Sequence, residues 1–540
     1  MRFHSTLAAA AVAAALAAPS SANELRFAFQ GDAHSMDPHT FNETFTLGFL
    51  GNIYEGLTKR GADLAIEPAL AERWEIVEPT RWRFYLRKGV KFHNGEDFTA
   101  DDVVFSAERA LGPGSNLKTT VAGIAEVVKV DDHTVDFITE QPNPILHFEW
   151  DNWYIMSKSW SESNGAATAE SLDGEQEKHT TRNANGTGPF RLVSREAGVR
   201  TVAEANPDWW NDAGKRHNLT KVTFTPIASD ATRVAALLSG QVDMAYPIPV
   251  QDIDRVNGGS DTEMKTGPEL RTIFLGMDQF RDELLYSDVK GSNPFKDRRV
   301  REAVYLAIDI EAIRSKVMRD LSRPSAMMVG PGINGFDESF ARPAHDPDRA
   351  KELLAEAGYA EGFRVTMDCP NDRYVNDEAI CQAVVSMLAK VGIEVDLLAQ
   401  PKAQYFPKIL APNVDTSFYL LGWTPGSFDS WNPIYNLNGC PRLSDDGAIW
   451  ADGARDDISN GKFNLGGYCN PEVDALAGRI LSETDTGARD DLIRQAWSML
   501  IDDVSHIPLH QQGLAWGIRS NVSLAQRADN QFDWRHVRVN

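Results

Sequence analysis

Phe363-Arg364-Val365-Thr366-Met367, then Ala379-Ile380-Cys381-Gln382-Ala383-Val384-Val385-Ser386-Met387-Leu388, then Val395-Asp396-Leu397-Leu398, is the stretch that decides the fold class. The outer runs are short and apolar, as strands are. Between them Ala379, Ile380, Ala383, Val384, Met387 and Leu388 recur at helical spacing on one face, and Gly392 closes the helix. The same rhythm extends upstream. Asp346-Pro347 supplies an N-cap and a first-turn proline for a helix that carries Leu353 and Leu354 and stops at Gly358. Val300, Ala303, Val304, Ala307 and Ile308 form another buried stripe. Residues 221–224 read as a strand, Val234, Leu237 and Leu238 as a helix face ending at Gly240, and residues 242–245 as a strand. This alternation predicts sheets covered by helices, an α/β architecture.

The amino-terminal half is richer in β pattern. Leu25, Phe27 and Phe29 alternate as a short strand, and residues 45–54 follow as a helix. Trp82, Phe84 and Leu86 alternate with Arg81, Arg83 and Arg87, the pattern of a strand with one buried face. Residues 128–130, 131–133 and 135–137 read as strand, turn and strand, and Asp101 as the cap of a helix carrying Val104, Phe105 and Arg109. The polar residues 159–185 read as a long loop.

The chain has 540 residues, enough for three or four domains. Its 54 Lys and Arg against 77 Asp and Glu give a net charge of −23. That field repels nucleic acid and anionic membrane, and favours cationic solutes only weakly. Residues 1–22 have a basic start, an unbroken apolar run from Leu7 to Ala18 and small residues before a cleavage point, which is a secretory signal peptide. No later stretch is apolar for long enough to span a bilayer. An exported, soluble protein is expected. Four cysteines then imply disulfides. Three pairings are possible; sequence order favours Cys369–Cys381 and Cys440–Cys469 over metal ligation, since there is no CxxC and no histidine at zinc spacing.

Catalytic motifs are absent: there is no GxSxG, HExxH or Walker loop. Gly330-Pro331-Gly332-Ile333-Asn334-Gly335 fits GxGxxG, but no helical pattern follows to place a pyrophosphate, so it reads as a loop. His34 and His39 flanking Asp37 read as polar loop residues, not metal ligands, and Trp209-Trp210 as anchoring residues. Two features suit ligand capture. Phe418-Tyr419-Leu420-Leu421-Gly422-Trp423-Thr424-Pro425-Gly426-Ser427-Phe428-Asp429 is a buried-type strand running into a glycine-containing loop, where open α/β sheets place ligands. Arg373 follows another strand end at the mouth of a helix, where a guanidinium can fork a carboxylate.

Glu67-Pro68-Ala69-Leu70-Ala71-Glu72, Leu86-Arg87-Lys88-Gly89-Val90-Lys91-Phe92-His93-Asn94-Gly95 and Phe98-Thr99-Ala100-Asp101-Asp102-Val103 resemble the signature of the family 5 extracellular solute-binding proteins. These are the periplasmic receptors of dipeptide, oligopeptide and nickel ABC importers. Residues 186–190, 238–243, 295–308 and 350–359 agree in order. The resemblance implies a bilobed type II periplasmic-binding-protein fold of the large three-domain variety. Lobe I would comprise 23–66, 187–272 and 507–540, an additional β-rich domain 67–186, and lobe II 273–506. It implies a non-catalytic receptor without cofactor or metal, a monomer that closes on a peptide and docks on ABC permease subunits from the periplasm. The alternatives are a non-peptide solute (an opine, sugar conjugate, haem or metal chelate) and, from another class, a secreted hydrolase. By the resemblance, Gly422, Trp423 and Thr424 contact peptide backbone and Arg373 holds the ligand carboxylate. Cys440 and Cys469 match a late disulfide of dipeptide-type receptors. Peptide binders also place an Asp three residues after that Trp, for the free ammonium. Here the position is Gly426, and Asp429 is the nearest carboxylate that could take the role.

Overall fold

The computed structural model describes residues 23–540 except 119, 122, 170–176, 212–215, 411–413, 442–460 and 462. The expected signal peptide and part of the polar stretch 159–185 lie outside the described residues. The described part of that stretch is not all loop. Lys158–Ser163 is a helix, started by the Ser157 hydroxyl accepting from Trp160 N at 3.1 Å, and His179–Thr181 is a 3-10 turn.

The dominant element is an eleven-stranded mixed sheet. Its order runs Ile393–Gln400, Phe363–Pro370, Phe418–Trp423, Thr262–Met277, Ile507–Arg519, Met244–Tyr246, Glu24–Phe29, Lys221–Pro226, Arg200–Ala205, Phe190–Glu196, with Arg323–Pro324 added on Ile507–Arg519. The deciding stretch forms as read: strand Phe363–Pro370 and strand Ile393–Gln400 pair in parallel, joined by helix Asp377–Ala389. A parallel pair needs such a crossover, and the helix covers the sheet.

Two strands carry the sheet from one lobe to the other. Thr262–Met277 and Ile507–Arg519 are antiparallel for nearly their whole length, from Thr262 opposite Arg519 to Leu275 opposite Ile507. Their register breaks in the middle, between Pro268 and Thr272, and shifts by one residue again between Ile273 and Phe274. Proline cannot donate to a ladder, so Pro268 favours a bulge there, and Glu269, Leu270 and Arg271 leave the pairing.

Separate cores lie on either side of this break. Leu25, Phe27, Phe224, Trp516 and Trp534 cluster on one side; Ile273, Val304, Ile380 and Leu420 on the other. A four-stranded antiparallel sheet, ordered Ala71–Glu78, Arg81–Leu86, Thr134–Thr139, Ile124–Asp131, has its own core of Trp82, Phe84, Phe137 and Trp150. Each fully buried large side chain contributes about 1.5–3 kcal/mol. Helix Ala100–Leu111 covers this sheet. Its cap is Thr99, not Asp101: the Asp102 carboxylate returns to Thr99 N at 2.9 Å, while Asp101 pairs with Lys129 at 2.7 Å. Arg109 on this helix reaches the amino-terminal loop, bonding both Asp37 oxygens and His39 Nδ1 inside the protein. The expected anchoring pair also forms, both Trp209 and Trp210 donating indole N–H to the buried Glu55 carboxylate.

Candidate functional site

Both expected disulfides are present. Cys440–Cys469 has an S–S distance of 2.08 Å. Cys369–Cys381, at 1.96 Å, ties the end of strand Phe363–Pro370 to helix Asp377–Ala389 and so staples the intervening loop, which carries Arg373. Asp377 stiffens the same loop by accepting from the backbone N–H groups of Arg373, Tyr374 and Glu378 at 2.9–3.0 Å. Arg373 is left exposed, and its side chain has no hydrogen bond or ion pair among the described residues.

Tyr374 joins this loop to the end of strand Phe418–Trp423. Its hydroxyl points at Gly422 O, 3.5 Å away, and its ring lies 2.8 Å from where a Gly422 Cβ would stand, with Ile273 equally close on the other side. Any side chain there would have to displace the Tyr374 ring and the Ile273 methyl. The structure thus brings Arg373, Gly422, Trp423 and Thr424 to one end of the sheet. Trp423 is half-buried, its indole donating to Asn432 Oδ1 at 2.8 Å and its ring 4.9 Å from Phe463. Thr424 Oγ1 is buried with no partner among the described residues.

Gly426 is exposed, and a Cβ built on it would meet nothing within 4 Å. The loop around it is held from two sides. Arg60, from the amino-terminal part of the chain, lies 3.8 Å over the Phe428 ring and donates to Ser427 O at 3.3 Å. Phe428 has φ +53°, a left-handed conformation that costs a non-glycine residue roughly 1–2 kcal/mol. The Arg60 contacts offset part of that strain.

Asp429 does not fit the ammonium-anchoring role expected of it. It is fully buried, and its carboxylate takes both Arg489 nitrogens at 2.7 Å, Asn334 Nδ2 at 2.9 Å and Trp431 N at 2.8 Å. These donors occupy the oxygens inside the lobe, so nothing is presented to a solute. The partner that consumes Asp429, Arg489, stands 60 residues further along.

The helix Leu146–Glu149 packs close to this pair. Burial pushes the Glu149 carboxyl up from about 4.5 to about 7, with the like charge of Asp429 adding to it and the Asn143 hydrogen bond opposing it. A carboxyl raised on folding stabilises fully below its unfolded pKa, and that contribution is lost as pH rises through the folded value. Glu149→Gln is therefore expected to melt like wild type near pH 4.5 and to be more stable at pH 8, by on the order of 2 kcal/mol. Thermal melts across that window check it; parallel curves would refute it.

A group that sequence reading did not single out sits at the register break of the crossing strands. Glu269 and Arg271 face each other across 3.5 Å, and Gln512 donates to Glu269. Gln512 Oε1 also accepts from Val375 N at 3.4 Å, which links the break to the Arg373 loop. The Tyr374 ring lies 5.0 Å from the Arg373 guanidinium carbon and 6.0 Å from that of Arg271. Partial desolvation and then the charge of Arg271 lower the Arg373 pKa; Glu43, which starts the helix Thr44–Leu50 on the opposite side of the break, acts on it in the other direction. The signal available in the sequence was Pro268 inside an otherwise strand-like run.

A sequence model of the bacterial extracellular solute-binding proteins, family 5 Middle, matches residues 65–445. The glutathione-binding protein GsiB of Salmonella choleraesuis is 24% identical over 536 residues, covering 96% of this chain and 95% of that protein. The substrate-binding protein CtaP of Listeria monocytogenes superposes with a TM-score of 0.79 at 20% identity, over 96% of this chain and 99% of the other. A dipeptide-binding protein of Pseudoalteromonas sp. SM9913, solved with Met-Leu, gives 0.72 at 22% identity, over 96% and 100%. The fold is the bilobed α/β fold of type II periplasmic binding proteins.

Proposed function

The chain belongs to the bacterial extracellular solute-binding proteins of family 5, and from that premise we propose that it is the peptide receptor of an ABC importer. It works without catalysis and without a cofactor, as a periplasmic monomer that hands its ligand to membrane permease subunits and does not bind nucleic acid. The observation that carries the peptide reading is the free Arg373 guanidinium on a stapled loop, beside the Gly422-Trp423-Thr424 strand end. Arg373 would fork the C-terminal carboxylate, and the strand end would bond the peptide backbone. Names of relatives support the ligand class: a glutathione-binding protein, and a dipeptide-binding protein solved with Met-Leu. The lobes are read as 23–66 with 187–272 and 507–540, and 273–506, with 67–186 as the additional domain; the separate cores support this division. Closure over the ligand would turn at the register break, and the ligand stabilises the closed state only by its greater affinity for it.

A thermal-shift screen over di- to pentapeptides and glutathione, set against opines, sugar conjugates, haem and metal chelates, tests the reading. Peptides should raise the melting temperature. If only the other solutes do, the peptide assignment fails; the missing carboxylate at Gly426 is the observation that favours that second reading. Gly426→Asp separates the two further. The site is open and the backbone there is not left-handed, so an aspartate fits, and affinity for peptides with a free α-amino group should rise about tenfold, with no change for N-acetylated peptides. Calorimetric titration of both forms measures it, and an equal response of the two would count against a ligand ammonium nearby.

A further inference from the structure

Two guanidinium groups near the Tyr374 ring make fewer hydrogen bonds than they can donate. Arg271 is mostly buried at the register break, its Nε has no hydrogen-bond partner, and its terminal nitrogens have none among the described residues. Its only close counter-charge among the described residues is Glu269, 3.5 Å away, which is itself shared with Gln512. Arg373, whose guanidinium carbon lies 5.0 Å from the same Tyr374 ring, has no ion pair or side-chain hydrogen bond among the described residues. Glu43 is no substitute, because its oxygens accept from Phe45 N and Thr46 N at 2.9 Å and from the Thr46 hydroxyl at 3.0 Å. Each guanidinium offers five N–H donors in a planar fork suited to a carboxylate. Two such groups around one ring repel each other until acids enter. One carboxylate fills one fork and leaves the other empty.

We propose that Arg271 is a second carboxylate-binding group at the hinge, and that the preferred ligand carries two carboxylates, one for Arg373 and one for Arg271. The proposal rests on the peptide-receptor reading and narrows it: the ligand is an acidic peptide, holding a side-chain or γ-linked acid besides its C-terminus. The chain's overall charge of −23 argues against non-specific attraction of such a ligand, so the selectivity resides in these two side chains.

The test uses the full mature protein and trialanine derivatives in which one residue at a time is Glu or Gln, titrated calorimetrically. At one position at least, the Glu peptide should bind about tenfold tighter or better than its Gln twin. Arg271→Gln should erase that difference while leaving the Gln twin within about threefold, and Arg271→Lys, which keeps the charge without the fork, should retain part of it. Equal affinities of Glu and Gln twins at all three positions, or a preference that survives Arg271→Gln, overturn the proposal and leave the peptide reading standing. Failure of all six peptides to bind removes both. Should Arg271→Gln not fold, Arg271→Lys carries the test, and an undiminished preference for the Glu twin in that variant overturns the proposal.

Discussion

Replacing Arg373 by alanine is expected to weaken binding of a peptide with a free C-terminal carboxylate by about 100-fold or more, and to leave the C-terminal amide of the same peptide nearly unaffected. The size follows from the surroundings. The Cys369–Cys381 bridge and the Asp377 carboxylate fix the loop on both sides, so the backbone that carries the guanidinium is held in place before the ligand arrives and only side-chain order is lost on binding. Its side chain makes no internal ion pair or hydrogen bond among the described residues, so truncation removes only its contact with the Tyr374 ring from the folded protein's own network. Stability should stay within about 0.5 kcal/mol of wild type. Titration of acid and amide peptides on both forms is a double-mutant cycle. Equal losses for acid and amide would show that Arg373 acts on the fold rather than on the carboxylate.

Asp429→Ala should do the opposite, destabilising the fold by about 3–5 kcal/mol, because it strands the Arg489 guanidinium in the interior. Arg489 is itself buried and bonds Ile480 O as well, so it has little freedom to reach water. Ligand affinity should fall only as far as the Phe428 loop loosens. Replacing both partners, Asp429→Leu with Arg489→Met, should recover much of the loss, since an apolar pair removes both desolvation penalties at once. Urea unfolding of the three variants measures this. An Asp429→Ala protein as stable as wild type, with peptide binding abolished, would restore Asp429 to the ligand.

The fold was largely legible because its signals are local. The alternation at Phe363 to Leu398 and the Trp82, Phe84 and Leu86 stripe are periodicities within one element, and they formed as read. What sequence could not supply were pairings between distant positions. Asp429 is spent on Arg489, Glu55 on tryptophans more than 150 residues away, and Asp37 on Arg109. No window contains both members of such a pair, and a carboxylate reads the same whether it faces solute or guanidinium. Glu269 and Arg271 escaped notice for a related reason. They gain their position from a register mismatch between two strands that meet only in the folded chain, although Pro268 marked the place. Near misses at element ends, such as Thr99 in place of Asp101, came from choosing between adjacent polar residues that can both cap.

On the proposed reading, the break in the crossing strands would give these charges a temporal role. If the lobes turn at this break, as proposed, residues on the axis travel least, so Arg271 would stand in nearly the same place whether the cleft is open or shut, while Arg373 and Glu43 would change their separation. An arriving solute could then register with the axis first, at no cost in closure. Capture and clamping would then become separable events along one trajectory: encounter read at the fulcrum, and commitment at the rim, where the moving groups would have the longer lever arm.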